Sequence, residues 1–130
     1  MDALILIVHG SRDPKWREPF EVFTQQLKNQ FGQDTIHLCY MEIAKPKLID
    51  VVKKIVPLGV TYITVVPLFM AGGGHVDNDI PPIVQEAKGK FPDVQFKLAP
   101  PIGETAEVIS AMTTVIWKLL DRHKQGGPIP

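Results

Sequence analysis

Leu4-Ile5-Leu6-Ile7-Val8 is an unbroken apolar run with no alternation of polar and apolar side chains. A strand with one wet face shows period two. A strand apolar at every position has both faces covered, the condition of a parallel sheet held between helical layers. His9-Gly10-Ser11-Arg12-Asp13-Pro14 follows with turn chemistry. Beyond it Phe20, Phe23, Leu27 and Phe31 recur at intervals of three and four, as on one face of a helix that stops at Gly32. Pro19 is expected in the first turn, where its missing N–H removes no intrahelical bond.

The same unit recurs three more times. Thr35 to Tyr40 is strand-like, and Lys45-Pro46 opens a helix with Leu48, Val51, Val52 and Ile55 on one face, closed by Pro57 and Gly59. Tyr62 to Pro67 is a third strand, rich in β-branched residues, and Leu68 to His75 is a loop containing Gly72-Gly73-Gly74. A helix from about Val76 to Lys90 carries Ile80, Ile83, Val84 and Ala87. Val94 to Leu98 is a fourth strand, and Glu104 to Arg122 a last helix with Val108, Ile109, Met112, Val115, Ile116 and Leu119. Alternating strands and helices require parallel pairing through right-handed crossovers. The expected fold is a three-layer α/β/α sandwich on a four-stranded parallel sheet, strand order 2-1-3-4, of the flavodoxin-like kind. Residues 1–124 are expected to form one domain and 125–130 a flexible tail.

Composition narrows the function classes. At 130 residues the chain can bury a core without covalent staples, and one cysteine cannot form an internal disulfide. A reducing, cytoplasmic setting is expected. Fourteen Lys+Arg balance fourteen Asp+Glu, so the basic excess that a nucleic-acid binder needs is missing. The apolar run at 3–8 is too short to cross a membrane or to form a signal-peptide core. Neither nucleic acid nor membrane is an expected partner.

In an open parallel sheet ligands bind beyond the carboxyl ends of the strands, near the point where strand order reverses. His9 directly follows the first strand, Glu42 lies two residues beyond Tyr40, and His75 ends the glycine loop after the third strand. With order 2-1-3-4 these three ends are neighbours. Two imidazoles and a carboxylate suit Co²⁺, Ni²⁺, Fe²⁺ or Zn²⁺ and leave a coordination position open. Each residue taken alone has a plainer reading: a loop histidine bonded to a carbonyl, a glutamate solvating the next helix. The three glycines can offer backbone N–H groups to an anion or let a flat ligand approach the chain. No Lys-Ser/Thr follows them and the G-x-G-x-x-G spacing is absent, so they are not a nucleotide fingerprint. His37, Cys39, Trp16 and Trp117 read as packing residues, as does Phe69 although it lies beside the candidate site. Lys45, Lys47, Lys53 and Lys54 read as a solvated face.

Val8-His9-Gly10-Ser11-Arg12-Asp13-Pro14, Met41-Glu42-Ile43-Ala44-Lys45-Pro46 and Val65 to Val76, which contains Pro67-Leu68-Phe69 and Ala71-Gly72-Gly73-Gly74-His75, resemble the sirohydrochlorin chelatase family of CbiX/SirB type. The resemblance runs on to Ala99-Pro100-Pro101-Ile102-Gly103-Glu104 and so covers nearly the whole chain. It implies a chelatase-like fold and ATP-independent insertion of a divalent metal into sirohydrochlorin, an octa-carboxylate tetrapyrrole. It assigns metal and proton chemistry to His9 and His75, with Glu42 assisting as a ligand or by orienting an imidazole. Ser11, Arg12, Phe69, Gly73 and Gly74 are then expected to contact the substrate. The metal would be substrate and not a resident cofactor: Co²⁺ first, feeding cobalamin synthesis, with Fe²⁺ and Ni²⁺ as alternatives. The short length resembles the small form of the family, in which two chains build one site, so a homodimer is expected.

Two other functions compete. A histidine phosphatase also has a strand-end His-Gly, but it places Arg directly before the His, where this chain has Val8. A non-catalytic metal or tetrapyrrole carrier would use the same ligands, and the residues alone do not separate it from a catalyst.

Overall fold

The computed structural model describes residues 1–71 and 78–124. Gly73, Gly74 and His75 lie outside the described residues, as do 125–130. Strands β1 (Asp2–Val8), β2 (Ile36–Tyr40), β3 (Tyr62–Pro67) and β4 (Gln95–Leu98) alternate with helices α1 (Pro14–Phe31), α2 (Leu48–Ile55), α3 (Ile80–Lys90) and α4 (Ala106–Lys124). The sheet is parallel throughout, in the order β2-β1-β3-β4. That is the order expected from the four strand–helix units. Among the described residues no helix is long and apolar enough to cross a membrane.

The main core lies on one face of the sheet. Ile5 and Ile7 of β1, Ile63 and Val65 of β3, Leu48, Val52 and Ile55 of α2, and Ile80, Val84 and Ala87 of α3 are buried there together. Each fully buried aliphatic side chain stabilises by roughly 1.5–3 kcal/mol in transfer free energy. Cys39 belongs to this core, and burial pushes its thiol up to about 12, so it is a small apolar residue with no thiolate chemistry near neutral pH. The register Val8↔Tyr40 and Ile7↔Pro67 brings the carboxyl ends of β1, β2 and β3 to one edge.

The other face is covered only in part. α1 begins earlier than its apolar spacing implies: Asp13 caps it by accepting the Lys15 N–H at 2.9 Å, and Pro14 takes the first turn. Pro19 therefore sits inside the helix and not in its first turn. Thr24 is the one buried residue of α1, while Phe23 and Phe31 stand exposed. α4 forms as expected but packs chiefly on the short 3-10 turn at Ile102–Glu104 that precedes it. Only Val108 and Met112 of its apolar side chains are half-buried; Ile116 is 65% and Trp117 59% exposed. Trp16, at 39%, is exposed too. Trp16 nonetheless packs against Phe20, the two ring centroids 5.0 Å apart. An apolar groove of about 590 Å³ runs along this face between the sheet (Leu4, Leu6, Val66) and α1 (Phe23, Leu27, Phe31).

Candidate functional site

β1 ends at Val8, so His9 is the first residue past the ladder; β2 ends at Tyr40, and Met41 N–H still donates to the Val8 carbonyl at 2.7 Å. That extra bond carries β2's exit one residue further and sets Glu42 beside His9. The Nδ1 of His9 lies 3.1 Å from Glu42 Oε1, and the Gly10 N–H donates to the same oxygen at 3.3 Å. With Glu42 ionised, Nδ1 carries the ring proton and donates, which leaves Nε2 as the basic nitrogen. The second carboxylate oxygen, Oε2, is shielded from solvent and has no hydrogen-bond partner among the described residues. A buried carboxylate oxygen without a donor is unfavourable unless a proton or a cation reaches it.

The loop that delivers Glu42 is a tight one. The Glu42 carbonyl accepts the Ala44 N–H at 2.7 Å around Ile43, whose φ is +70°. This is the positive-φ γ-turn, a strained conformation, and a β-branched residue is an uncommon occupant of it. The same carbonyl lies against Gly10: a Cβ added there would collide with Glu42 O and come 2.9 Å from Ala44 N. Gly10 is required because backbone approaches backbone at that point.

Phe69 completes the surroundings of His9. The two rings meet nearly perpendicular, at 85°, with centroids 4.7 Å apart. A cleft of about 360 Å³ opens here, lined by His9, Met41, Glu42, Asp79 and Ile83. Ser11 and Arg12 sit on the loop from β1 to α1. The Ser11 Oγ accepts the Asp13 N–H at 3.0 Å and the Ser11 carbonyl accepts from Arg17 at 3.0 Å, so Ser11 also organises this loop. Arg12 is exposed beside it.

The structure thus brings His9, Glu42 and Phe69 together, with Ser11 and Arg12 on the adjoining loop; His75, Gly73 and Gly74 fall outside the described residues. Among the described residues no group of three or more His, Cys, Asp or Glu side chains is arranged to hold a metal. Sequence reasoning passed over Asp79, Met41 and Ile83. The spacing of four between His75 and Asp79 was a signal for the first of these; the other two are apolar and carry none.

Away from the cleft, the His37 ring nitrogen Nε2 contacts the Asp34 carbonyl at 2.9 Å. Burial lowers the imidazole pKa from 6.5, against the opposing effect of that hydrogen bond. Burial likewise raises the Tyr40 phenol, assisted by the charge of Glu21.

Comparison with known proteins agrees with this architecture. The chain is 32% identical over 120 residues to the sirohydrochlorin cobaltochelatase of Sulfolobus acidocaldarius, covering 92% of this chain and 94% of that protein. Its fold superposes on a CbiX protein of Marinobacter aquaeolei VT8 with a TM-score of 0.82 at 33% identity, covering 94% of this chain and 99% of the other. The sirohydrochlorin chelatase SirB of Bacillus subtilis subspecies spizizenii, solved in complex with cobalt, matches with a TM-score of 0.78 at 25% identity. That match covers 91% of this chain but 50% of SirB. The CbiX family model matches residues 3–117, nearly the whole of the described fold, and the chain belongs to the CbiX family of chelatases.

Proposed function

We propose that the chain inserts a divalent metal ion, Co²⁺ first among the candidates, into sirohydrochlorin, and does so in the cytoplasm as part of cobalamin synthesis. The metal is a substrate and no cofactor stays bound. The observation that carries this reading is the Glu42–His9 pair at the strand ends, whose outer carboxylate oxygen is shielded and has no partner among the described residues. Metal insertion releases two pyrrole N–H protons and requires the ion to lose water. The Nε2 of His9, on the side of the ring away from Glu42, accepts a proton or holds the ion. His75 is the second base and ligand in this proposal. Ser11, Arg12 and the backbone amides of Gly73 and Gly74 receive substrate carboxylates.

The active form in this proposal is a homodimer. In support, the chain spans half the length of SirB. It also leaves an apolar groove and the apolar side of α4 exposed together. The half-exposed rings of Phe23, Phe31 and Trp117 alone would bury ~300 Å² per chain, from about 150–250 Å² for a whole aromatic side chain. Two chains would then supply from six rings a large part of the ~1,200–2,000 Å² of a stable interface.

The test is insertion into sirohydrochlorin followed by tetrapyrrole absorbance, with Co²⁺, Fe²⁺ and Ni²⁺ supplied in turn. Multiple turnovers above the protein-free rate, fastest with Co²⁺, are expected, and His9→Ala and His75→Ala should each remove them. Stoichiometric product that never leaves the protein would make it a carrier instead. No acceleration with any of the three ions would end the chelatase reading. A faster rate with Fe²⁺ or Ni²⁺ would redirect the pathway but keep the reaction.

A further inference from the structure

β3 shows which face of the sheet is unfinished. Ile63 and Val65 are buried against α2 and α3, whereas Tyr62, Thr64 and Val66, on the opposite face, are half-buried. Neighbouring strands lie ~4.8 Å apart and packed helices ~8–10 Å, so a four-stranded parallel sheet takes two helices on each face. One face has its pair in α2 and α3. On the other, among the described residues, α1 lies beside an open apolar groove floored by Leu4, Leu6 and Val66. Phe23, Leu27 and Phe31, each four residues from the next along α1, form its wall. On the far side Thr64 pairs with Lys97 and Tyr62 with Gln95, and both partners on β4 are exposed and polar. The groove therefore has the width of one helix.

α4 is the helix without a place. Ile102, in the turn that leads into it, lines the groove, but α4 itself packs chiefly on that turn. From Thr113 to Asp121 every side chain is exposed. Met112, Val115, Ile116 and Leu119 share one side of the helix, so the exposed part carries an apolar stripe. One chain thus holds an apolar helix and an apolar groove of matching width, both uncovered. We infer that in the homodimer α4 of each chain lies in the groove of the other, where it completes the helical layer beside α1. This rests on the proposed homodimer and specifies how it is built. A twofold axis makes the helix-in-groove contact twice, so both helices and both grooves count toward the ~1,200–2,000 Å² of a stable interface.

The experiment uses mixed cysteine variants. Val115→Cys, Ile116→Cys and Leu119→Cys each put a thiol on α4; Phe23→Cys, Leu27→Cys and Phe31→Cys each put one on the groove wall. Cys39 stays out of the chemistry, because it is buried and its thiol is pushed up to about 12. One helix variant and one wall variant are unfolded together in urea, refolded as a mixture and oxidised. A disulfide needs Cα atoms about 4.4–6.8 Å apart, so linkage reports contact. At least one mixed pairing should give linked dimer about tenfold above either variant alone. Should a wall variant fail to fold, Phe31→Cys carries the test, since Phe31 is 58% exposed. Linkage of helix to helix or wall to wall, with every mixed pairing unlinked, would overturn the inference. So would a chain carrying Ile116→Cys and Phe23→Cys together that closes its disulfide internally as a monomer. A dimer by sedimentation with no mixed linkage would defeat the exchange alone. A monomeric wild-type protein would defeat the proposed homodimer itself, and the exchange with it.

Discussion

One carboxylate oxygen, Glu42 Oε1, serves two neighbours: it lies 3.1 Å from His9 Nδ1 and accepts the Gly10 N–H at 3.3 Å. The backbone bond holds the carboxylate still while the imidazole bond sets the ring's tautomer. Glu42→Gln keeps the shape and loses the charge that faces Nδ1. Insertion should slow by about 10–100-fold in Glu42→Gln and by about 100–10,000-fold in His9→Ala. If Glu42 acts through His9, the double variant should be no slower than His9→Ala alone. Initial rates of the absorbance change decide this, and multiplicative losses would mean that Glu42 works independently.

Gly10 admits the carbonyl of Glu42 where a methyl group would collide. Gly10→Ala must push the γ-turn at 42–44 outward, at a cost of about 1–3 kcal/mol. Urea unfolding should show that loss, and metal insertion should fail even at temperatures where the variant stays folded. A Gly10→Ala protein with wild-type stability and rate would contradict the packing described.

The folded state lowers the His37 pKa below 6.5. A group with a depressed folded pKa binds more protons when unfolded, so it favours folding above its unfolded pKa. That contribution fades as pH falls from 6.5 through the folded value. The wild-type chain should therefore lose stability between pH 7.5 and 5.5, and His37→Gln should lose less over the same interval. Urea midpoints at the two pH values test the difference; equal slopes for the two proteins would remove His37 as the cause.

Ile116 projects from the exposed part of α4. If a second copy covers that helix, Ile116→Glu places a carboxylate in an apolar contact and should weaken self-association by about 100-fold or more. Sedimentation velocity at a fixed protein concentration should shift from dimer to monomer, while the circular dichroism spectrum stays unchanged. A variant that remains dimeric would place the interface elsewhere.

Strand order and the meeting of His9 with Glu42 could be read from the sequence for a physical reason. Unbroken apolar runs specify strands covered on both faces, and parallel order then fixes which loops adjoin. The partners of α4 could not be read that way. Its three-and-four spacing marks Val115, Ile116 and Leu119 as apolar, but periodicity does not say whose surface they meet. Ile43 was hidden for the opposite reason: local propensity disfavours positive φ for isoleucine, and only the contact between Gly10 and the Glu42 carbonyl accounts for the turn. Pro19 misled because the apolar pattern begins at Phe20, whereas the cap that starts the helix is polar Asp13.

His9 and Glu42 stand 33 residues apart, joined by a single strand–helix–strand crossover whose register pairs Val8 with Tyr40. The pair is consequently a local product of folding. Closing one modest loop makes it, without waiting for β3, β4 or any bound ion. In metalloproteins whose ligands meet only around the metal, binding energy becomes folding energy and the ion is hard to give away. A chain that assembles this pair by strand pairing owes none of its fold to the ion there. In the proposed reaction an ion held there can pass through to a product and leave the protein ready for the next one.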